Sequence, residues 1–237
     1  EARYSALGVL AGAPGARGVA ADMGGASMEL TRIGDGAVSD GVTLPLGPFS
    51  LADPKGFDAD RLRGVIAKRL RPLSEAYRSD TLHAVGGAWR SLAQMHMAMS
   101  GYPLKIVHQY AMTAADARSV AGFVARQSKA SLDKTPGVSR KRAETLPYAA
   151  LVLEGLIDRL ALKQVSFSAW GVREGLLFEA LDVEAVRQDP LLAGAGALGA
   201  RQGVSSTLAG ALTAWIAPVT AALPPAFSVL MKCCRNR

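Results

Sequence analysis

The sequence predicts an α/β fold: an antiparallel three-strand meander leading into strand-to-helix units, with a helical segment at the C-terminal end. Three observations carry this. Residues 18–21, 29–33 and 37–46 are short apolar or alternating stretches separated by glycine-rich turns, the pattern of paired strands. Residues 81–85 form an apolar run that passes through Gly86-Gly87-Ala88 into a stretch of helical apolar spacing over residues 89–99. From residue 190 onward alanine, glycine and proline replace charge, and residues 202–231 carry none between Arg201 and Lys232.

In chain order, residues 1–10 read as the end of a helix with Leu7, Val9 and Leu10 apolar, and residues 12–18 read as a loop. The meander follows. Gly34-Asp35-Gly36 is its hairpin turn, and Leu44-Pro45-Leu46-Gly47-Pro48 stops it, because proline donates no ladder hydrogen bond. Asp60 is the expected N-cap of a helix running to about Tyr77. That helix would place Leu62, Val65, Ile66, Leu70 and Leu73 on one face and Arg61, Arg63, Lys68, Arg69 and Arg71 on a solvated one. After the unit at 81–99, residues 104–110 read as a strand and Thr113 as the cap of a helix over 114–126. Residues 140–162 read as one long helix, with Pro147 tolerated near its start and Leu151, Leu153, Leu156 and Leu160 as core positions. A strand over 164–170 and a helix from Gly171 to near Asp182 follow, and residues 190–199 fit a loop or small helices.

At 237 residues the chain is long enough for a large core, and 49% hydrophobic with 20% charged residues is a globular composition. The 27 Lys and Arg against 20 Asp and Glu leave a net charge of +7, which suits a polyanionic partner. Basic residues are spread, apart from residues 61–71 and Arg140-Lys141-Arg142, and aromatics do not interleave with them, so nucleic acid is not the expected polyanion. The only cysteines, Cys233 and Cys234, are adjacent; this excludes a disulfide framework and a C-x-x-C metal site and suits a reducing cytoplasm. The uncharged segment is long enough to span a bilayer, but Pro218, Pro224, Pro225, Ser205 and Ser206 interrupt it, and a buried helical segment is expected instead. With Glu1 first and no basic-then-apolar leader, the chain is expected to begin mid-protein and to carry no secretory signal.

The main candidate site is the turn Asp22-Met23-Gly24-Gly25-Ala26-Ser27-Met28-Glu29-Leu30. Its glycines allow positive φ and close approach of N–H groups to an anion, for which phosphate is the natural candidate. Asp22 and Glu29 bracket the turn. A carboxylate beside a phosphate cradle makes sense only with a cation such as Mg²⁺ to offset repulsion, or with a water to handle. An ordinary glycine β-turn between two solvated acids would look the same. Gly86-Gly87 is the second candidate, since a helix N-terminus offers free N–H donors, although close strand-to-helix packing also uses glycine there. Arg90, Arg140, Lys141 and Arg173 are candidates to hold a polyanionic chain, and Arg173 with Glu174 also reads as an ion pair or helix-start contact. His83, His96 and His108 have no partner at metal or triad spacing and read as core or surface histidines.

Several segments in this order resemble the exopolyphosphatase and guanosine pentaphosphatase family over about residues 1–200: the turn at Asp22, residues 39–46 with Gly47, Gly86-Gly87, Arg142-Ala143-Glu144-Thr145-Leu146-Pro147, and Ser168-Ala169-Trp170-Gly171-Val172-Arg173-Glu174-Gly175-Leu176-Leu177. The last two make the resemblance specific, because a D-x-G-G turn alone is shared by sugar kinases, actin and heat-shock chaperones.

The resemblance implies a ribonuclease H-like (actin-like ATPase) domain with a mixed sheet and flanking helices. Residues 1–182 would be the second of two such domains and residues 183–237 a helical C-terminal segment. It also implies release of terminal phosphate from inorganic polyphosphate, or from guanosine pentaphosphate, by Mg²⁺-assisted attack of water. In that scheme Glu1 stands for the water-activating glutamate of an E-A-R motif, with Glu29 assisting, and Asp22 holds the metal. Gly24, Gly25, Ala26, Ser27, Gly86 and Gly87 hold phosphate. Ala26 stands where a third glycine is usual and Met28 where Thr or Leu is; because Ala tolerates positive φ less readily, a looser but surviving hold on phosphate is expected. The family's first domain would precede Glu1, which makes this chain one wall of a two-walled cleft, expected to be inactive or nearly so alone. Two other readings stay open: a kinase or chaperone-type ATPase half with Gly86-Gly87 against adenosine, and a non-catalytic polyphosphate or alarmone binding module. A homodimer also stays open, and no membrane partner is expected.

Overall fold

In the computed structural model, which describes residues 1–221 apart from Lys55 and Pro136, the chain divides into two units, residues 1–181 and residues 182 onward. The first opens with α1 (Ala2–Gly12), followed by β1 (Gly18–Met23), β2 (Met28–Gly34) and β3 (Ala37–Leu44). These strands pair antiparallel as the expected meander. Asp35 and Gly36 take φ of +54° and +73°, the backbone of a hairpin turn whose twist matches the strands it joins. Past β3, α2 (Pro48–Leu51) folds back onto the β1–β2 turn.

Asp58, not Asp60, caps α3 (Ala59–Leu70), its side chain accepting from Arg61 N at 3.0 Å. The helix stops well short of Tyr77 because Pro72 has no N–H to continue the ladder, and a 3₁₀ turn over Glu75–Tyr77 takes its place. The expected strand-glycine-helix unit is β4 (Thr81–Val85) with α4 (Gly87–Met99). The strand expected over 104–110 is displaced along the chain: β5 is Tyr110–Thr113, entered through Gln109, whose N–H donates to Phe167 O at 2.8 Å. Thr113 caps α5 (Ala114–Ala125) as expected, accepting from Asp116 N at 3.1 Å. After the short α6 (Lys129–Leu132), the single helix expected over 140–162 is two, α7 (Arg140–Ala143) and α8 (Leu146–Leu160). Pro147 cannot donate to a preceding carbonyl, so the ladder breaks and restarts with the proline in the first turn. β6 (Gln164–Ser168) and α9 (Val172–Glu179) complete the unit.

The six strands form one sheet in the order β3-β2-β1-β4-β6-β5, with β1, β4 and β6 parallel and the rest antiparallel. This is the mixed sheet with flanking helices that the resemblance implied. Side chains alternate across a strand, and the two faces bury separate cores. Val19, Ala21, Leu30, Leu82 and Ala84 pack with Trp89, Leu92, Leu151 and Leu153 in the larger one. Ala20, Ile33 and Val85 meet Ala6, Val9 and Leu10 of α1 in the smaller one on the opposite face.

The second unit contains α10 (Val183–Arg187), α11 (Pro190–Arg201) and α12 (Ser206–Ala221). Asp182, expected to end the preceding helix, instead caps α10 by accepting from Ala185 N at 2.8 Å. Among the described residues no helix is long and apolar enough to cross a membrane. The uncharged stretch beyond residue 221, with Pro224, Pro225, Cys233 and Cys234, lies outside the described residues.

α1 and α9 meet backbone to backbone. A Cβ on Gly8 would overlap the Gly171 carbonyl, and one on Gly175 would overlap the Tyr4 carbonyl and stand 2.8 Å from Gly8 N. Neither neighbour is a flexible side chain that could yield, so any larger residue must force the helices apart. Gly175→Ala is therefore expected to lower stability in urea unfolding by about 3 kcal/mol, the upper part of the range for overpacking. Gly64→Ala is the matched control: its Cβ meets nothing within 4 Å on exposed α3, and a gain of about 0.5–1 kcal/mol is expected.

Candidate functional site

The three parallel strands end together. Asp22 of β1 is level with Val85 of β4, and Val85 with Ser168 of β6. The carboxyl ends of parallel strands are where open α/β sheets receive ligands, because chains leave the sheet there for helix N-termini. Gly86 makes the exit from β4 at φ +117°, and its Cβ position lies 2.8 Å from Met23 O and 3.6 Å from Asp22 Oδ1. Glycine is required here on both counts, and the result is that α4 starts directly beside Asp22.

The β1–β2 turn is held from behind. Gly47 N donates to Ala26 O at 3.1 Å, Phe49 N to Gly25 O at 2.8 Å, and Ser50 Oγ to Ala26 O at 2.5 Å. Gly24 N closes the turn on Ser27 O at 3.0 Å. With those carbonyls engaged, the N–H groups of Gly25, Ala26 and Ser27 make no hydrogen bond among the described residues, and Gly24, Gly25 and Ala26 are exposed. The glycines were expected to supply positive φ; none of residues 24–26 has it. What Gly25 supplies is close approach, since its Cβ position is 2.8 Å from the Phe49 ring. Ala26 in place of a third glycine is thus free of backbone strain.

Asp22 and Glu29 stand directly opposite each other across the β1–β2 ladder, so both side chains lie on the face that α1 covers. Ser5 of α1, 2% exposed, donates to Asp22 Oδ2. Ser27 Oγ donates to Glu29 Oε1 at 2.6 Å, so the hydroxyl expected to meet phosphate is turned to the acid instead. Burial raises the Asp22 pKa, opposed by the Ser5 hydrogen bond; the Glu1 charge raises it further and Arg90 lowers it. Burial likewise raises the Glu29 pKa against the Ser27 hydrogen bond, with Glu1 and Asp22 adding to the rise. Glu1 precedes α1, exposed and near enough to bear on both acids.

The four cationic candidates have different fates. Arg90 is half-buried, donates to Ala169 O at 3.0 Å, and its charge bears on Asp22 and Glu174. Lys141 and Arg173 are exposed; Glu174 pairs with neither, accepting from Gly171 N at 2.9 Å to cap α9. The side chain of Arg140 lies outside the described residues. Arg142, named in the sequence only within the basic run and the R-A-x-x-L-P motif, lies against Gly87: a Cβ there would be 2.6 Å from its guanidinium, which donates to Ser91 Oγ at 3.5 Å. The histidines are structural. His83 Nε2 is 3.1 Å from Arg17 O, His96 Nδ1 is 2.6 Å from the Tyr110 hydroxyl, and His108 stacks on Trp170.

Among the described residues no group of three or more His, Cys, Asp or Glu side chains could hold a metal ion alone. The acids present fit Mg²⁺ in its usual manner instead, held by one or two carboxylates with the rest of its shell from water and substrate phosphate.

The profile of the Ppx/GppA phosphatase family matches residues 1–184. The chain belongs to the Ppx/GppA phosphatase family. It is similar to exopolyphosphatase 1 of Mycobacterium tuberculosis, 30% identical over 178 residues that cover 69% of this chain and 51% of the relative. Retrograde regulation protein 2 of Saccharomyces cerevisiae is 28% identical over 225 residues, covering 81% and 37%. In fold it is similar to a Cytophaga hutchinsonii exopolyphosphatase crystal structure, with a TM-score of 0.66, 19% identity, and coverage of 75% of this chain and 62% of that one. An Aquifex aeolicus Ppx/GppA structure gives 0.64, 21%, 74% and 61%. The chain spans about half the length of the mycobacterial relative.

Two residues of this Ppx/GppA chain escaped the sequence reading. Ser5 had a signal: it lies four residues after Glu1, on the same helix face. Arg142 had only its places in the basic run and in the R-A-x-x-L-P motif, which say nothing of Gly87.

The raised acids make stability depend on pH with a definite sign. A carboxyl whose folded pKa exceeds its unfolded value binds more protons when folded, so stability falls as pH rises through that window and levels off above it. Glu29→Gln removes this cost while keeping an acceptor for Ser27. It is expected to raise the thermal midpoint at pH 7 by a few degrees, and the gain is expected to shrink toward about pH 4, where the wild-type carboxyl is protonated too.

Proposed function

We propose that this chain supplies the phosphate-gripping and acid-bearing wall of an exopolyphosphatase-type phosphoanhydride hydrolase. The observation that carries this reading is the pairing of three unengaged turn amides with two facing carboxylates, the half-buried Asp22 at the end of β1 and the buried Glu29 at the start of β2. Amides without a partner suit a phosphoryl oxygen, and the carboxylates suit the cation and water that such a reaction needs.

Hydrolysis of a phosphoanhydride asks for water in line and for neutralised charge on the transferred group. The N–H groups of Gly25, Ala26 and Ser27, with the free donors where α4 starts at Gly87, would grip the terminal phosphate. Mg²⁺ held through Asp22 would supply the positive charge that two acids and a polyanion together demand. Glu1 would take the proton as water oxygen bonds to phosphorus and the bridging P–O bond breaks, with Glu29 orienting the water. Arg90 and Arg142 are the cations best placed for the departing chain. Inorganic polyphosphate is the proposed substrate, guanosine pentaphosphate the alternative, and the cytoplasm the proposed setting; residues 1–182 would be the second domain of the module and residues 183–237 a helical appendage.

A non-catalytic polyphosphate binding module is the second reading, favoured by one observation: the exposed Glu1 carboxylate makes no hydrogen bond among the described residues, so no neighbour holds it as a base. The readings separate in two measurements. Equilibrium titration with Mg²⁺ is expected to give tripolyphosphate binding at least as tight as ATP binding; a strong preference for ATP would indicate a kinase or ATPase half instead. Phosphate release from long-chain polyphosphate by this chain alone is expected to stay near background. In a hydrolysing protein with both walls, Glu1→Ala is expected to leave binding within about twofold and cut turnover about 10²–10⁴-fold, the usual share of a general base. Undiminished turnover in that variant would remove Glu1 from the mechanism.

A further inference from the structure

Ser5 is 2% exposed in the second turn of α1, yet its hydroxyl donates across the gap between helix and sheet to Asp22 Oδ2. A serine inside a helix ordinarily returns its hydroxyl to a carbonyl of the preceding turn. Here the proton goes to a carboxylate on another layer, and the approach that permits this is set by the glycine contact of α1 with Gly171 and Gly175. The two oxygens of Asp22 are thereby made different. Oδ2 is tied on the α1 side, whereas Oδ1 lies toward the exit of β4, 3.6 Å from the Cβ position of Gly86.

We propose that Ser5 is a positioning residue: it fixes the rotation of the Asp22 carboxylate so that Oδ1 is the oxygen presented to a divalent cation arriving with phosphate. The inference rests on the role given to Asp22 under Proposed function. Its physical basis is that hydrogen bonds to a ligating carboxylate orient it, and that their loss typically weakens metal binding by about 10–100-fold. A purely packing role would depend on side-chain volume. A positioning role depends on the hydroxyl.

The test is Mn²⁺ binding, followed by electron paramagnetic resonance at saturating imidotriphosphate, in the wild-type chain and in S5A, S5T, S5C and D22N, with thermal midpoints as a check on folding. The expected order is wild type and S5T within about twofold of each other, S5A and S5C at least about tenfold weaker, and D22N weakest. S5A and S5C together keep the test decisive if the extra methyl of S5T unfolds α1, because the thiol preserves volume but donates poorly. S5A binding Mn²⁺ as tightly as wild type, with D22N impaired, would overturn the role of Ser5 alone. No Mn²⁺ binding by the wild-type chain, or equal binding in D22N, would overturn the metal role of Asp22 and Ser5 with it.

Discussion

Two carboxylates facing each other across a strand pair, Asp22 half-buried and Glu29 buried, are the constraint on which this structure turns. Like charges directly opposite on an antiparallel pair repel, and burial adds to the penalty by disfavouring the charged form. The surroundings of Asp22 and Glu29 answer that penalty only in part. Each acid receives one serine hydroxyl, and Arg90 bears on Asp22 from the start of α4. Glu1 works in the other direction on both. An arrangement that leaves acids short of positive charge, next to amides short of acceptors, is unfavourable when bare, and under the proposed function a cation and an oxyanion arriving together would relieve it. Local cost of this kind is tolerated where function requires it.

The depth of the site depends on a contact that has no chemistry of its own. Because α1 and α9 touch through glycine, α1 sits low enough over the sheet for Ser5 to reach Asp22, and the Glu1 charge at its start bears on both acids. The same contact brings the start of α9 to the site, where Glu174 secures Gly171 and Arg90 secures Ala169. His108 braces the segment from the far side, stacked on Trp170 and accepting from Ala169 N at 3.3 Å. Loops leaving β1, β4 and β6 are therefore tied to one another as well as to their own strands. Within the G-x-R-E-G segment Gly175 serves the helix contact and Glu174 the helix start, the second of the two readings open to it from the sequence.

The misreadings share a physical origin. Asp58 and Asp60 are both plausible caps, and only the backbone of residue 58, extended at φ −134° and ψ 109°, decides between them. Residues 104–110 alternate well enough for a strand, but a strand exists only where a partner is offered, and the register of β6 offers one to Tyr110–Thr113. Pro147 lay inside an unbroken helical pattern, and its missing donor proved stronger than the periodicity on either side.

By itself the sequence determined the meander, the strand-glycine-helix unit, the cap at Thr113 and the bracketing of a tight turn by Asp22 and Glu29. All of these are local: they follow from periodicity, from turn residues and from side chains that bond within a few positions. Only the tertiary structure decided that Asp22 and Glu29 are level across the ladder, that Ser5 is the partner of one and Ser27 of the other, and that Arg142 lies on Gly87. The Ser5–Asp22 bond and the seat of Arg142 on Gly87 depend on how closely two separate elements approach. That distance is set by the absence of side chains at Gly8, Gly87 and Gly175, which in the sequence look like any other glycines.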